Sequence, residues 1–290
     1  MNKGYYRLNL GDFECVSLSD GSVDYPLKNF FANVSIEKVE EALRQRNLPV
    51  EYVTTPYTYL YVDTGEHHAL VDMGAGSLGP RTGQLLHSMR AAGIDPAEID
   101  TVLITHAHPD HIGGTLDGQG RPVYANAHYH IWKGEWEFWF SRLAETKTPE
   151  HFVTCARTNL EPLRDRMTLL DREGEVVPGI GVLAAPGHTP GHMVVSVSSG
   201  SERLLYIGDT VLYPLHLEHP DWLPIYDIVP DEAEPSKQRI FDMAAEEQAW
   251  VIGQHFPPFP SLGHVVKAGD GWQWQPIETD NPPVQCYCSE

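Results

Sequence analysis

Between residues 105 and 114 the chain reads Thr-His-Ala-His-Pro-Asp-His-Ile-Gly-Gly. Four ligand-type side chains, His106, His108, Asp110 and His111, fall within six residues, directly after the apolar run 101–105. No other stretch restricts the fold as much. Imidazole and carboxylate suit zinc and similar divalent ions. In extended chain, side chains two apart share a face, so His106 and His108 can grip one ion. Pro109 turns the chain away from a continuing strand, and Asp110 and His111 can then open the next element and reach a second ion. Gly113-Gly114 lets backbone pack closely behind them.

The same arrangement recurs along the chain. Ala69-Leu70-Val71 precedes Asp72, and the run 181–185 leads through Pro186-Gly187 to His188. Leu204-Leu205-Tyr206-Ile207 leads through Gly208 to Asp209, and Trp250-Val251-Ile252 through Gly253-Gln254 to His255. Runs of this length and composition suit strands buried in a layered sheet. Layered α/β folds place their sites on the loops that follow strand ends. Helical spacing fills the gaps and points to an α/β fold. Ser35 can cap a helix with Ile36, Val39 and Leu43 on one face. The stretch 80–92 carries Leu85, Leu86 and Met89, with Gly93 as its stop. The stretch 128–143 repeats Tyr129, Trp132, Trp136, Phe140 and Leu143. Ser236 can open a last helix with Ile240, Met243 and Ala244 inward. The segment 214–235, rich in Pro, Asp, His and aromatics, reads as a long loop after Asp209.

One ion takes three or four protein ligands. His106, His108, Asp110, His111, His188, Asp209 and His255 make seven, which overfills one site and fits two, with Asp209 the carboxylate to bridge them. The chain has 15 histidines, and scattered surface residues would not concentrate after strand-like runs in this way. Ligating histidines need a partner that fixes their tautomer. Asp72 is the candidate, with a turn carboxylate capping nearby amides as the equal alternative. Tyr213, His216, His219 and Trp222 lie on the loop after Asp209 and can line a pocket. Phe259 follows His255 closely, and Phe30 and Phe31 can close the mouth. His192 and His264 read as structural.

These residues resemble the metallo-β-lactamase superfamily. His106, His108, Asp110 and His111 stand as in its signature loop. Pro186-Gly187-His188-Thr189-Pro190-Gly191-His192 is similar to the segment of its third histidine, Gly208-Asp209-Thr210 to its bridging-aspartate segment, and Leu70-Val71-Asp72-Met73-Gly74 to its early strand. The resemblance runs over about 13–276. Leu18-Ser19-Asp20-Gly21 and the stretch 255–264 resemble the methyl parathion hydrolase and quorum-quenching lactonase branch. The resemblance implies a four-layer αβ/βα sandwich. It also implies a split of ligands, with His106, His108 and His188 on one ion and Asp110, His111 and His255 on the other. Some lactonases of this kind carry a tyrosine soon after the bridging aspartate. Here the nearest is Tyr213, four residues on, so a strict match to them is not supported.

At 290 residues the chain is near the limit of one hydrophobic core. We read a single domain over 1–290, elaborated over about 1–50 and with a flexible tail over about 278–290. The net charge of −20 argues against nucleic acid as a partner. Four cysteines are few for a disulfide framework, and Cys286 and Cys288 read as a mobile end without a role. Neither a signal-like N-terminus nor a membrane-length apolar run is visible, so the expectation is a cytoplasmic protein away from membranes. The expected cofactor is a pair of divalent ions, zinc first, with manganese, cobalt or iron as alternatives. The expected function is hydrolysis of an apolar lactone or ester through a metal-bridging hydroxide, with Asp110 and Asp209 as catalytic carboxylates and phosphotriesters as a side substrate. A thioesterase of glyoxalase II type and an iron-dependent persulfide dioxygenase are the alternatives on the same fold. Exposed-looking aromatics suggest a homodimer.

Overall fold

The computed structural model describes residues 3–279, so Cys286 and Cys288 lie outside the described residues. Two seven-stranded sheets follow one another along the chain. The first runs in chain order through β1 (Tyr5–Leu10), β2 (Phe13–Pro26), β3 (Tyr52–Asp63), β4 (His68–Val71), β5 (Thr101–Ile104), β6 (His128–Trp132) and β7 (Met167–Leu170). The second holds β8 (Gly174–Val177), β9 (Ile180–Ala184), β10 (Met193–Ser199), β11 (Glu202–Tyr206), β12 (Trp250–Ile252), β13 (Leu262–Ala268) and β14 (Gly271–Pro276), again as sequential neighbours. The helices are α1 (Ile36–Arg44), α2 (Leu85–Ala91), α3 (Pro109–Ile112), α4 (Lys133–Trp139), α5 (Arg142–Lys147), α6 (Glu150–Leu160), α7 (Pro214–Glu218) and α8 (Pro230–Glu246). None is long and apolar enough to cross a membrane.

Strand periodicity builds the layers. Side chains alternate across a sheet, so a strand covered on both faces is apolar at every position. On β3, Leu60 and Val62 enter the core between the sheets, whereas Tyr59 and Tyr61 enter the core shared with Leu85 and Met89 of α2. On β11, Leu204 and Tyr206 point to the first sheet, whereas Leu205 packs with Ile240, Phe241 and Ala244 of α8. The result is helix, sheet, sheet, helix. Each large apolar side chain so buried contributes about 1.5–3 kcal/mol before the entropy of ordering it is counted.

Several elements depart from the sequence reading. The stretch 128–143 is not one helix: His128–Trp132 is a strand, parallel to β5, with Tyr129 and Ile131 buried, and α4 starts only at Lys133. The helix expected over 80–92 starts at Leu85, where the Asp20 carboxylate accepts the Leu85 N–H at 2.6 Å and acts as a distant cap. The loop expected over 214–235 contains α7 and the first turns of α8, each entered through a proline at its first position, where the missing N–H costs nothing. Ser236 therefore lies inside α8, not at its start.

The ligand-bearing loops leave both sheets at one end. There β4 pairs parallel to β5, and β11 parallel to β12. The sheets are stitched together at that end: the Met193 N–H donates to the Thr105 carbonyl at 3.0 Å, and the Tyr206 hydroxyl donates to the Thr58 carbonyl at 2.9 Å.

Candidate metal centre

The loop after β5 is held from below by Asp72. This residue adopts φ 60°, a left-handed conformation that a non-glycine residue reaches at a cost. Its buried carboxylate accepts the Thr105 N–H and hydroxyl, both at 2.8 Å, and lies 2.7 Å from His111 Nδ1. Pro109 opens the single turn of α3, which carries Asp110 and His111. The Tyr59 hydroxyl donates to the Asp110 carbonyl at 2.5 Å.

Seven side chains from this loop and from those of the second sheet converge in two groups. His106, His108, His188 and Asp209 form one; Asp110, His111, Asp209 and His255 form the other. Within each, one potential ligand atom per residue lies within 4.8 Å of all the others. Asp209 belongs to both, and its oxygens divide between them. Oδ2 is 3.3 Å from His188 Nε2 and 3.8 Å from His106 Nε2, whereas Oδ1 is 3.4 Å from His111 Nε2 and 3.3 Å from His255 Nε2. His108 Nδ1 stands 3.1 Å from His106 Nε2 and 2.8 Å from His188 Nε2. Asp110 Oδ2 is 3.3 Å from His255 Nε2. All seven are buried except Asp110, whose side chain is 14% exposed and marks the open edge.

The donor set fits divalent cations. His111 Nε2 and Asp209 Oδ1 are buried without a hydrogen-bond partner. Burial, reinforced by neighbouring imidazoles, holds His106 and His108 well below the usual histidine range, so both offer lone pairs. Burial would raise Asp209, but His255 and His111 beside it hold its carboxyl well below the usual range. Burial would lower His255, yet Asp209 and Asp110 push it up to about 9. His111 is driven upward by Asp209, Asp72 and Asp110 in the same way. Three carboxylates thus demand positive charge here, and protons on two imidazoles answer that demand when no cation does.

Outer partners orient the inner ring. His188 Nδ1 is 3.0 Å from Asp227 Oδ1, and His255 Nδ1 is 3.3 Å from the Pro56 carbonyl. His192 Nε2 accepts the Asp209 N–H at 2.9 Å, while His264 bonds the Ala249 carbonyl away from the centre. Glu135, fully buried on α4, accepts from Ala107 N at 2.9 Å, Trp139 Nε1 at 2.6 Å, Thr189 Oγ1 at 2.5 Å and Gly191 N at 3.1 Å. It ties the His106–His111 loop to the loop carrying His188. Sequence reading missed Glu135 and Asp227. The one available cue was a carboxylate at a helix position otherwise surrounded by core aromatics.

The aromatic rings against the site histidines, among the described residues, include Tyr57 on His255 at 4.8 Å, and Trp139 and Phe152 on His108 at 5.6 and 5.1 Å. Phe259 is half-buried and is not one of them. Tyr213, His216 and Trp222 instead gather with Phe30 and Phe31: His216 stacks on Phe31 at 4.6 Å, Trp222 meets Phe31 edge-on, and Tyr213 meets Phe30 edge-on. His219 stacks on Trp222 at 4.1 Å.

Comparison with known proteins gives three findings. The sequence model described as "Metallo-beta-lactamase superfamily" matches residues 52–255. An N-acyl homoserine lactonase of Bacillus cereus is 23% identical over 167 residues, 58% of this chain and 60% of that protein. The chain spans between 40% and 60% of the length of the first two curated relatives it matches. Among solved structures, AidC, a dizinc quorum-quenching lactonase in complex with its N-hexanoyl-L-homoserine product, superposes with TM-score 0.89 at 30% identity, covering 96% of this chain and 99% of that one. The hydrolase AbOPH superposes with TM-score 0.88 at 28% identity over the same shares.

Proposed function

This chain belongs to the metallo-beta-lactamase superfamily, and on that premise we propose that it is a dinuclear metal-dependent hydrolase that opens lactones, acyl-homoserine lactones first. The observation that carries the reading is the division of Asp209 between two groups, one oxygen toward each. His106, His108 and His188 would hold one divalent cation, Asp110, His111 and His255 a second, and Asp209 both. Bound there, zinc or a similar ion would supply Lewis acidity toward a substrate oxygen and lower the pKa of water toward neutrality.

The chain's own residues do the rest. Asp110, at the open edge, accepts the proton of the attacking water and returns it to the alkoxide oxygen released as the ring opens. Asp227 and the Pro56 carbonyl keep His188 and His255 in the tautomer that presents Nε2 inward. Tyr57, Trp139 and Phe152 wall the centre with rings, which favours an apolar substrate and excludes bulk water. Phosphotriesters, attacked at phosphorus in the same geometry, are the side substrates. A dizinc lactonase that is similar over nearly the whole chain supports the lactone as substrate class.

The test is acid release from a long-chain acyl-homoserine lactone in a pH-stat, with metal-loaded and chelator-stripped protein side by side. Turnover that depends on metal is expected. Asp209→Ala is expected to lose both metal and turnover; full activity with full metal would remove Asp209 from its role. Two bound ions without lactone turnover would refute the lactonase reading.

A further inference from the structure

Tyr25, near the end of β2, reaches the centre through a second phenol. Tyr25 Oη lies 2.5 Å from Tyr57 Oη, and the Tyr57 ring stands edge-on to His255 at 4.8 Å. On its other side the Tyr25 ring packs against Phe30 at 5.1 Å and meets Tyr226 edge-on at 6.3 Å. Asp110 and Asp209 both act electrostatically on the Tyr25 and Tyr57 phenols. Tyr213, by contrast, interacts with Arg46 and Glu218. The hydroxyl pair is therefore joined to the centre through the Tyr57 ring on His255, whose Nε2 stands 3.3 Å from Asp110 Oδ2.

We propose that Tyr25, primed by Tyr57, is a catalytic residue that donates a hydrogen bond to the substrate carbonyl oxygen as it gains negative charge. Two hydroxyls that share one hydrogen bond leave one proton over. Tyr57 is fully buried and Tyr25 partly exposed. Among the described residues neither hydroxyl has another hydrogen-bond partner. If Tyr25 donated inward, the Tyr57 proton would be stranded in a dry site. Tyr57 therefore donates to Tyr25, which turns the Tyr25 proton outward and strengthens it as a donor, because hydrogen bonds in a chain polarise one another. No proton is transferred: burial first, then Asp110, disfavours the phenolate, so Tyr25 stabilises the oxyanion as a hydrogen-bond donor while Asp110 moves the proton. Tyr57 is the positioning residue of the pair.

The inference rests on the reading of the chain as a carbonyl hydrolase, and the test separates the two. Tyr25→Phe, Tyr57→Phe, the double variant and a Tyr213→Phe control are compared with the wild-type full chain, all metal-loaded. Three quantities are read: metal content, kcat and KM, and calorimetric affinity for a phosphonate mimic of the tetrahedral ring-opening state. Tyr25→Phe is expected to lose roughly a hundredfold in kcat, with KM and metal content unchanged and the mimic bound more weakly. Tyr57→Phe is expected to lose less, and the double variant no more than Tyr25→Phe. Tyr213→Phe should match wild type. A Tyr25→Phe kcat within twofold of wild type overturns the proposal, as does a loss that tracks metal content. A wild type that cleaves aryl esters or thioesters but no lactone refutes the lactone reading alone, and the same comparison on that ester then decides Tyr25. A wild type that neither turns over a carbonyl substrate nor binds the mimic overturns both.

Discussion

At the scale of single residues, the inward side chains are supported, beyond Asp72, by two more buried carboxylates, Asp227 and Glu135. Asp227 fixes His188 through Nδ1. Asp227→Asn replaces a charged acceptor with a weaker neutral one, and partners of this kind change metal affinity about 10–100-fold. A competition titration against a chromogenic chelator is expected to show that loss with the fold intact; unchanged affinity would assign Asp227 to loop packing alone. Glu135 accepts four hydrogen bonds, and Glu135→Gln leaves its amide nitrogen facing the Gly191 N–H. One buried donor without an acceptor costs about 1–3 kcal/mol, so a urea melt should shift by that amount and chelator-stripped protein should shift as well. That the seven side chains converge was legible in the sequence because four fall within six residues and the others follow apolar runs. Glu135 and Asp227 were not. The bonds Glu135 makes to Ala107 and Thr189 span 28 and 54 residues, and Asp227 reaches His188 across 39. No local pattern announces partners so far apart.

At the scale of elements, the centre is built where a single turn of helix rests on the loop after β4. The Gly114 N–H donates to the Gly74 carbonyl at 2.9 Å, and a Cβ on Gly114 would stand 2.2 Å from the Met73 carbonyl oxygen. That neighbour is backbone and cannot swing aside. Gly114→Ala should therefore push α3 off the β4 loop, displacing Asp110 and His111 together. The expected readouts are a lowered melting temperature and loss of one metal equivalent before the other, seen by stepwise chelation; an unperturbed second equivalent would show that the turn absorbs the methyl group. Strand ends were readable at this scale because buried parallel strands are apolar throughout and stop abruptly at a polar residue. The stretch 128–143 misled because aromatic residues at three- and four-residue spacing also occur where a strand ending at Trp132 runs straight into a helix at Lys133. Local spacing is the same in both cases, and only the pairing of Thr101 with His128 decides. The start of α2 was hidden for a similar reason, since its cap is Asp20, on β2.

At the scale of the whole molecule, the centre is the seam between two sheets. His106, His108, Asp110 and His111 follow the first sheet, and His188, Asp209 and His255 the second. Any cation held by both sets is also a clasp, which stabilises the folded state by its binding free energy. Without cations the clasp is protonic. His255, raised to about 9 by Asp209 and Asp110, contributes stability that is fully present below its unfolded value of about 6.5 and is lost as pH rises through about 9. His111 is shifted in the same direction. Asp209, held low, contributes in the opposite sense: its share is present above the ordinary carboxylate value and lost in acid. A cation reverses the alkaline trend, because both histidines must give up their protons to bind it and metal affinity therefore rises with pH. The melting temperature of chelator-stripped protein should accordingly fall between about pH 6.5 and about 9, while that of metal-loaded protein holds or rises, so the gap widens across the interval. Scanning fluorimetry on both forms measures it directly. A stripped protein whose melting temperature stays flat or climbs over that range would mean that the carboxylates are neutralised by something other than His111 and His255, and the charge assignment of the centre would have to be redrawn.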